Sequence, residues 1–62
     1  MKLSPQQRRA VELVAAGLPT KAIAREMELS PRTVVQHLRL AYRKLGVVNR
    51  TQAAILMERG LC

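Results

Sequence analysis

The sequence predicts an all-α domain, a four-helix bundle, and three observations carry that prediction. Helix-start signals recur along the chain, at Ser4 and Pro5, at Ser30 and Pro31, and at Asn49. Between them, apolar residues repeat at helical spacing. The apolar content, 48% of 62 residues, is mostly Ala, Leu and Val with Tyr42 as the one aromatic, which suits closely packed helices and falls short of what a β-sandwich needs. A chain this short builds one core and one domain, residues 1–62, near the lower size limit for a fold without disulfides or metal.

Ser4, Pro5 and Gln7 supply an N-cap, a first-turn proline and a capping-box partner, so helix 1 is predicted over residues 5–16. Its apolar positions Ala10, Val11, Leu13, Val14 and Leu18 share a face, and Gly17 can take the left-handed turn that ends it. A short helix 2 is predicted over residues 20–27, with Ile23, Ala24 and Met27 inward and Lys21, Arg25, Glu26 and Glu28 outward. Ser30 and Pro31 open the longest helix, over residues 31–45, which Gly46 closes. Val47 and Val48 can then pack on the core, Asn49 and Gln52 repeat the capping-box signal, and helix 4 is predicted to about Glu58, with Gly60 as its end. About three residues separate the second and third helices, the geometry of a helix-turn-helix unit.

Eleven Lys and Arg against four acidic residues leave a formal charge of +7, so an anionic partner is the first expectation, with a merely solvated basic surface as the alternative. Eight of those cations are Arg, whose planar fork meets phosphate or guanine edges at two points. Cys62 is the one cysteine, so no disulfide framework or multi-cysteine metal site forms within one chain. No apolar run approaches a membrane span and no signal peptide is evident. A cytoplasmic location, including the bacterial nucleoid, is expected.

At about 100° per residue, Val34, Leu38, Ala41 and Leu45 fall on one side of helix 3, with His37 and Tyr42 at its borders. The opposite side gathers Arg32, Gln36, Arg39 and Arg43, with Val35 and Leu40 at the edges. A B-DNA major groove accepts one α-helix, and Arg for guanine and Gln for adenine are among its best readers. Lys21 and Arg25, with Arg8 and Arg9, can add phosphate contacts, as can the positive ends of helices 2 and 3. Double-stranded DNA is therefore the expected partner.

The run Thr33, Val34, His37, then Arg43 to Val47, then Asn49 to Ala53 resembles the LuxR-type DNA-binding domain, also called GerE-type or FixJ-type. Leu3, Ser4, Pro5, Gln7, Gly17, Lys21, Ile23 and Ala24 extend the similarity over nearly the whole chain. The resemblance implies a recognition role for helix 3, a scaffold role for helix 2, and a homodimer through helix 4 over a two-fold DNA site. Carried over by position, Val35, Gln36 and Arg39 face bases, while Lys21, Thr33 and Lys44 or Arg43 hold backbone phosphates; Arg32, on the same face, joins the phosphate set. Position 35 is often Lys or Arg in that family, and Val there offers only a methyl surface. In that family the domain usually follows a controlling domain, so an excised domain and a small autonomous regulator both remain open.

Helix 4 is apolar nearly all round from Ala53 to Met57, more than one small core can completely bury, so Ala54, Leu56 and Met57 are the candidates for dimer contact, with simple inward packing of the helix as the alternative. His37 has no carboxylate three or four residues away and reads as a packing or phosphate-bonding residue. Cys62, at a chain end, reads as incidental. Four Glu, one His and one Cys converge on no acid, base or nucleophile set, so an enzyme, a metal site and a cofactor are not expected. A protein-binding adaptor is the competing class, which the Arg-rich face disfavours unless its partner is acidic.

Overall fold

The computed structural model describes residues 2–60, and within them the chain forms four helices and no strand. The helices are α1 (Pro5–Ala15), α2 (Thr20–Met27), α3 (Pro31–Leu45) and α4 (Arg50–Glu58). The expectation for Cys62 lies outside the described residues.

Side-chain caps account for three of the four starts. Ser4 Oγ accepts from the Gln7 amide at 3.1 Å while Gln7 Oε1 accepts from the Ser4 amide at 3.1 Å, so the predicted capping box on α1 is complete. Ser30 Oγ accepts from the Thr33 amide at 3.2 Å and caps α3. At α4, Asn49 Oδ1 accepts from the Gln52 amide at 2.9 Å as expected, but Gln52 Oε1 accepts from the Val48 amide at 3.0 Å rather than from that of Asn49. The returning bond thus ties down the loop one residue further out. No side chain caps α2, which starts after Pro19.

The first three helices end in one pattern. α1 stops at Ala15, one residue before the predicted end; the amide of Gly17 (φ +89°) donates to Val14 O at 2.9 Å and that of Leu18 to Leu13 O at 3.1 Å. This paired closure with one left-handed residue recurs at Gly46 on α3 and, without glycine, at Glu28 on α2 (φ +57°). A side chain at a left-handed position costs about 1–2 kcal/mol relative to glycine, part of which glycine loses again in unfolded-state entropy. Glu28→Gly is accordingly expected to stabilise the domain by roughly 0.5–1 kcal/mol and to raise Tm by a few degrees in a calorimetric scan. A lowered Tm would mean that the Glu28 side chain contributes more than its backbone strain costs.

α1 is the centre of the fold and packs against all three other helices, while α2 packs mainly on α3. Ala10, Val11, Ile23, Val34, Ala41 and Ala53 are completely buried, and Leu18, Met27, Leu29, Leu45 and Val47 cover them in part, whereas Val48, expected on the core beside Val47, is exposed. The small residues among them permit close helix approach, as the Ala-rich composition implies. Gln7 is the buried polar residue among those described, and besides its capping bond it accepts from Lys44 Nζ at 2.8 Å, which ties the end of α3 to the start of α1. The effect of this packing is to hold α3 by one side and leave the other facing outward.

Candidate nucleic-acid interface

α3 divides as its periodicity requires. Val34, Leu38 and Ala41 are buried and Leu45 is half-buried against them, whereas Arg32, Gln36, Arg39 and Arg43 are all exposed on the other side. Val35 and Leu40, at the edges of that outer face, are among the exposed large hydrophobics of the described chain. The three guanidiniums and the Gln36 amide therefore lie along one surface of a rigid element rather than on a loop. A face of this kind can enter a groove without deforming the core.

The remaining candidates for backbone contact differ in setting. Lys21 is exposed on the first turn of α2. Thr33 is half-buried, and its Oγ1 lies 2.9 Å from Ser30 Oγ, a hydrogen bond that fixes its rotamer at the start of α3. Arg43 is exposed, while Lys44 is half-buried with its ammonium drawn to Gln7. Of this pair, left open by the sequence, Arg43 is the one whose charge stands on the outer face. His37 is half-buried at the border of the core side.

Arg50 carries a role that the sequence reading missed. It opens α4, where a cation opposes the positive end of the helix, and its Nη2 reaches across to the Leu18 carbonyl at 3.0 Å. An Arg at that position, with no acidic residue in the first turn to offset it, was the available signal. Arg50 also acts on Tyr42, whose phenol pKa is raised by burial and drawn partly back by the guanidinium. Tyr42 is half-buried against the core and keeps its proton at neutral pH.

On α4, Ala53 is buried, and Ala54 and Met57 are half-buried against the core, so two of the three dimerisation candidates spend part of their surface inward. Leu56 is half-buried, and Ile55 is 41% exposed. Ile55, which was not among the candidates, is the large apolar side chain most presented by this helix. Among the described residues, no three His, Cys, Asp or Glu side chains come together as a metal site would require, and no helix is long and apolar enough to cross a membrane.

The family model for bacterial regulatory proteins of the luxR family matches residues 1–57. The chain belongs to that family. This luxR-family chain is 46% identical over 56 residues to YhjB of Escherichia coli K12, named as an HTH-type transcriptional regulator, covering 90% of this chain and 28% of that protein. It is 44% identical over 55 residues to GfsR of Streptomyces halstedii, also named as an HTH-type transcriptional regulator, covering 89% of this chain and 23% of that one. To the nitrate/nitrite response regulator protein NarL of E. coli K12 it is 35% identical over 54 residues, 87% of this chain and 25% of NarL. The chain thus spans about a quarter of the length of these relatives. No solved structure matches it.

Proposed function

We propose that this luxR-family chain is a sequence-specific DNA-binding domain acting in transcriptional regulation, that α3 enters the major groove, and that it works by binding rather than by catalysis. The observation that carries this reading is the outer face of α3, with Arg32, Gln36, Arg39 and Arg43 exposed opposite a buried apolar side. In a chain of net charge +7, such a face matches the width, the charge and the base-edge chemistry of a major groove. Val35, Gln36 and Arg39 read bases, and Lys21, Arg32, Thr33 and Arg43 hold phosphates. Lys44 adds charge at the groove edge while its bond to Gln7 keeps α3 seated on α1. The names of YhjB, GfsR and NarL, all regulators, agree with this assignment.

Selection of bound sequences from a random duplex pool, followed by titration across salt, tests the reading. Each phosphate contact adds about 0.9 to the slope of log K against log salt, so the affinity for the selected site should fall steeply. A flat salt response, or a pool that yields no preferred sequence, would overturn it.

Two copies pair through α4 over a two-fold site in the bacterial cytoplasm, with half-sites about 10 base pairs apart or a multiple of that. The exposed Ile55 beside Leu56 supplies the apolar contact. Ile55→Glu is expected to abolish cooperative occupancy of a two-fold site in a band-shift titration while the helical circular-dichroism signal stays unchanged. Unaltered cooperativity would place the pairing surface elsewhere.

A further inference from the structure

Beside the outer face of α3, where it turns toward the α3–α4 connection, lies a groove of about 490 Å³, within the size range of small-molecule sites. Its walls have two characters. Val35 and Val48 line it, respectively 40% and 83% exposed, so two of the exposed large hydrophobics among the described residues border one cleft. Arg39, Arg43 and Arg50 line it as well, and no acidic residue does. Tyr42 also lines it and brings a phenol that is protonated at neutral pH and can donate a hydrogen bond. Arg50 is held in place by the Leu18 carbonyl, so one guanidinium is oriented before any ligand arrives.

An inorganic anion would satisfy the guanidiniums and leave the valines wet, and a neutral hydrocarbon would do the reverse. A molecule with an apolar body and one carboxylate meets both, since a guanidinium fork pairs with a carboxylate at two points while an acyl or aryl body covers the valine surface. We propose that this groove binds a small amphipathic carboxylate, an aliphatic or aromatic acid, and that its occupancy excludes DNA from α3. The exclusion follows because Val35 and Arg39 line the groove and are also the assigned base readers. That half rests on the reading of α3 given above; the binding of the acid does not.

Octanoate is the probe, with acetate and 1-octanol as its charged and apolar halves. The chain has no Trp, and its single Tyr lines the groove, so Tyr42 emission reports occupancy directly. Octanoate should give a saturable change, with acetate and octanol each at least about tenfold weaker, because each buried methylene is worth roughly a fourfold gain in affinity. Val48→Asp, outside any helix, should lose octanoate binding by a similar factor with its helical signal intact, and Val48→Leu should retain it. In duplex titrations at equal ionic strength, octanoate should raise the apparent Kd and acetate should not. An equal response to acetate, or binding retained in Val48→Asp, would overturn the site. Octanoate bound without any effect on the duplex would overturn the exclusion. A protein that takes octanoate but no duplex would instead sink the reading of α3 and leave the acid site standing.

Discussion

Ile23→Ala is expected to leave the domain largely unfolded at 25 °C and to abolish duplex binding with it. Ile23 is completely buried and, with Val11 and Val34, is among the largest side chains that are. It sits on α2, which packs mainly on α3, so the cavity would open beneath the helix that carries the candidate interface. Truncating a buried Ile to Ala costs about 2–5 kcal/mol, while a domain of this size holds only about 3–5 kcal/mol in total. Ile23→Val should cost about 0.5–1.5 kcal/mol and stay folded. Urea unfolding of the two variants, followed by circular dichroism, checks the pair. If Ile23→Ala melted with the wild type, α2 would not be the platform for α3.

What could be read from the sequence was the chemistry that acts within a few residues. The caps at Ser4 and Ser30 depend on a side chain three positions before the amide it accepts from, and the closures at Gly17 and Gly46 on backbone bonds within five residues, and each appears where the spacing predicts it. The two-sided character of α3 is local in the same sense, since helical periodicity alone separates Val34, Leu38 and Ala41 from Arg32, Gln36 and Arg39. Glu28 escaped because the turn after α2 contains no glycine to announce a left-handed residue. The left-handed Glu28 is followed directly by Leu29, which packs on the core, a tertiary contact that local residue preference does not contain.

The bonds from Lys44 to Gln7 and from Arg50 to Leu18 span 37 and 32 residues and depend on how the helices cross, which periodicity does not contain. The same holds for α4. An apolar run read without its crossing angle offered Ala54, Leu56 and Met57 for dimer contact, and the fold packs Ala54 and Met57 partly on the core while exposing Ile55 as well.

Arg39→Ala is expected to remove most of the sequence preference while leaving general duplex binding nearly intact. Arg39 is exposed near the middle of the outer face of α3, between Gln36 and Arg43, and Leu38 beside it is buried, so the helix holds its position without the Arg39 side chain. From there a guanidinium can meet the O6 and N7 of one guanine together, a contact worth about 1–3 kcal/mol of discrimination. A phosphate contact at the same position would behave differently, since it weakens binding to every sequence alike and lowers the salt slope by about 0.9. Val35 supplies the internal control. With only methyl groups to offer a thymine, it contributes little discrimination, and Val35→Lys should shift the preferred sequence rather than tighten binding overall. Paired titrations of wild type, Arg39→Ala and Val35→Lys on the selected site and on random duplex at fixed salt separate these cases. Equal losses for Arg39→Ala on both duplexes would move Arg39 to the phosphate backbone and leave Gln36 as the polar base reader on this face.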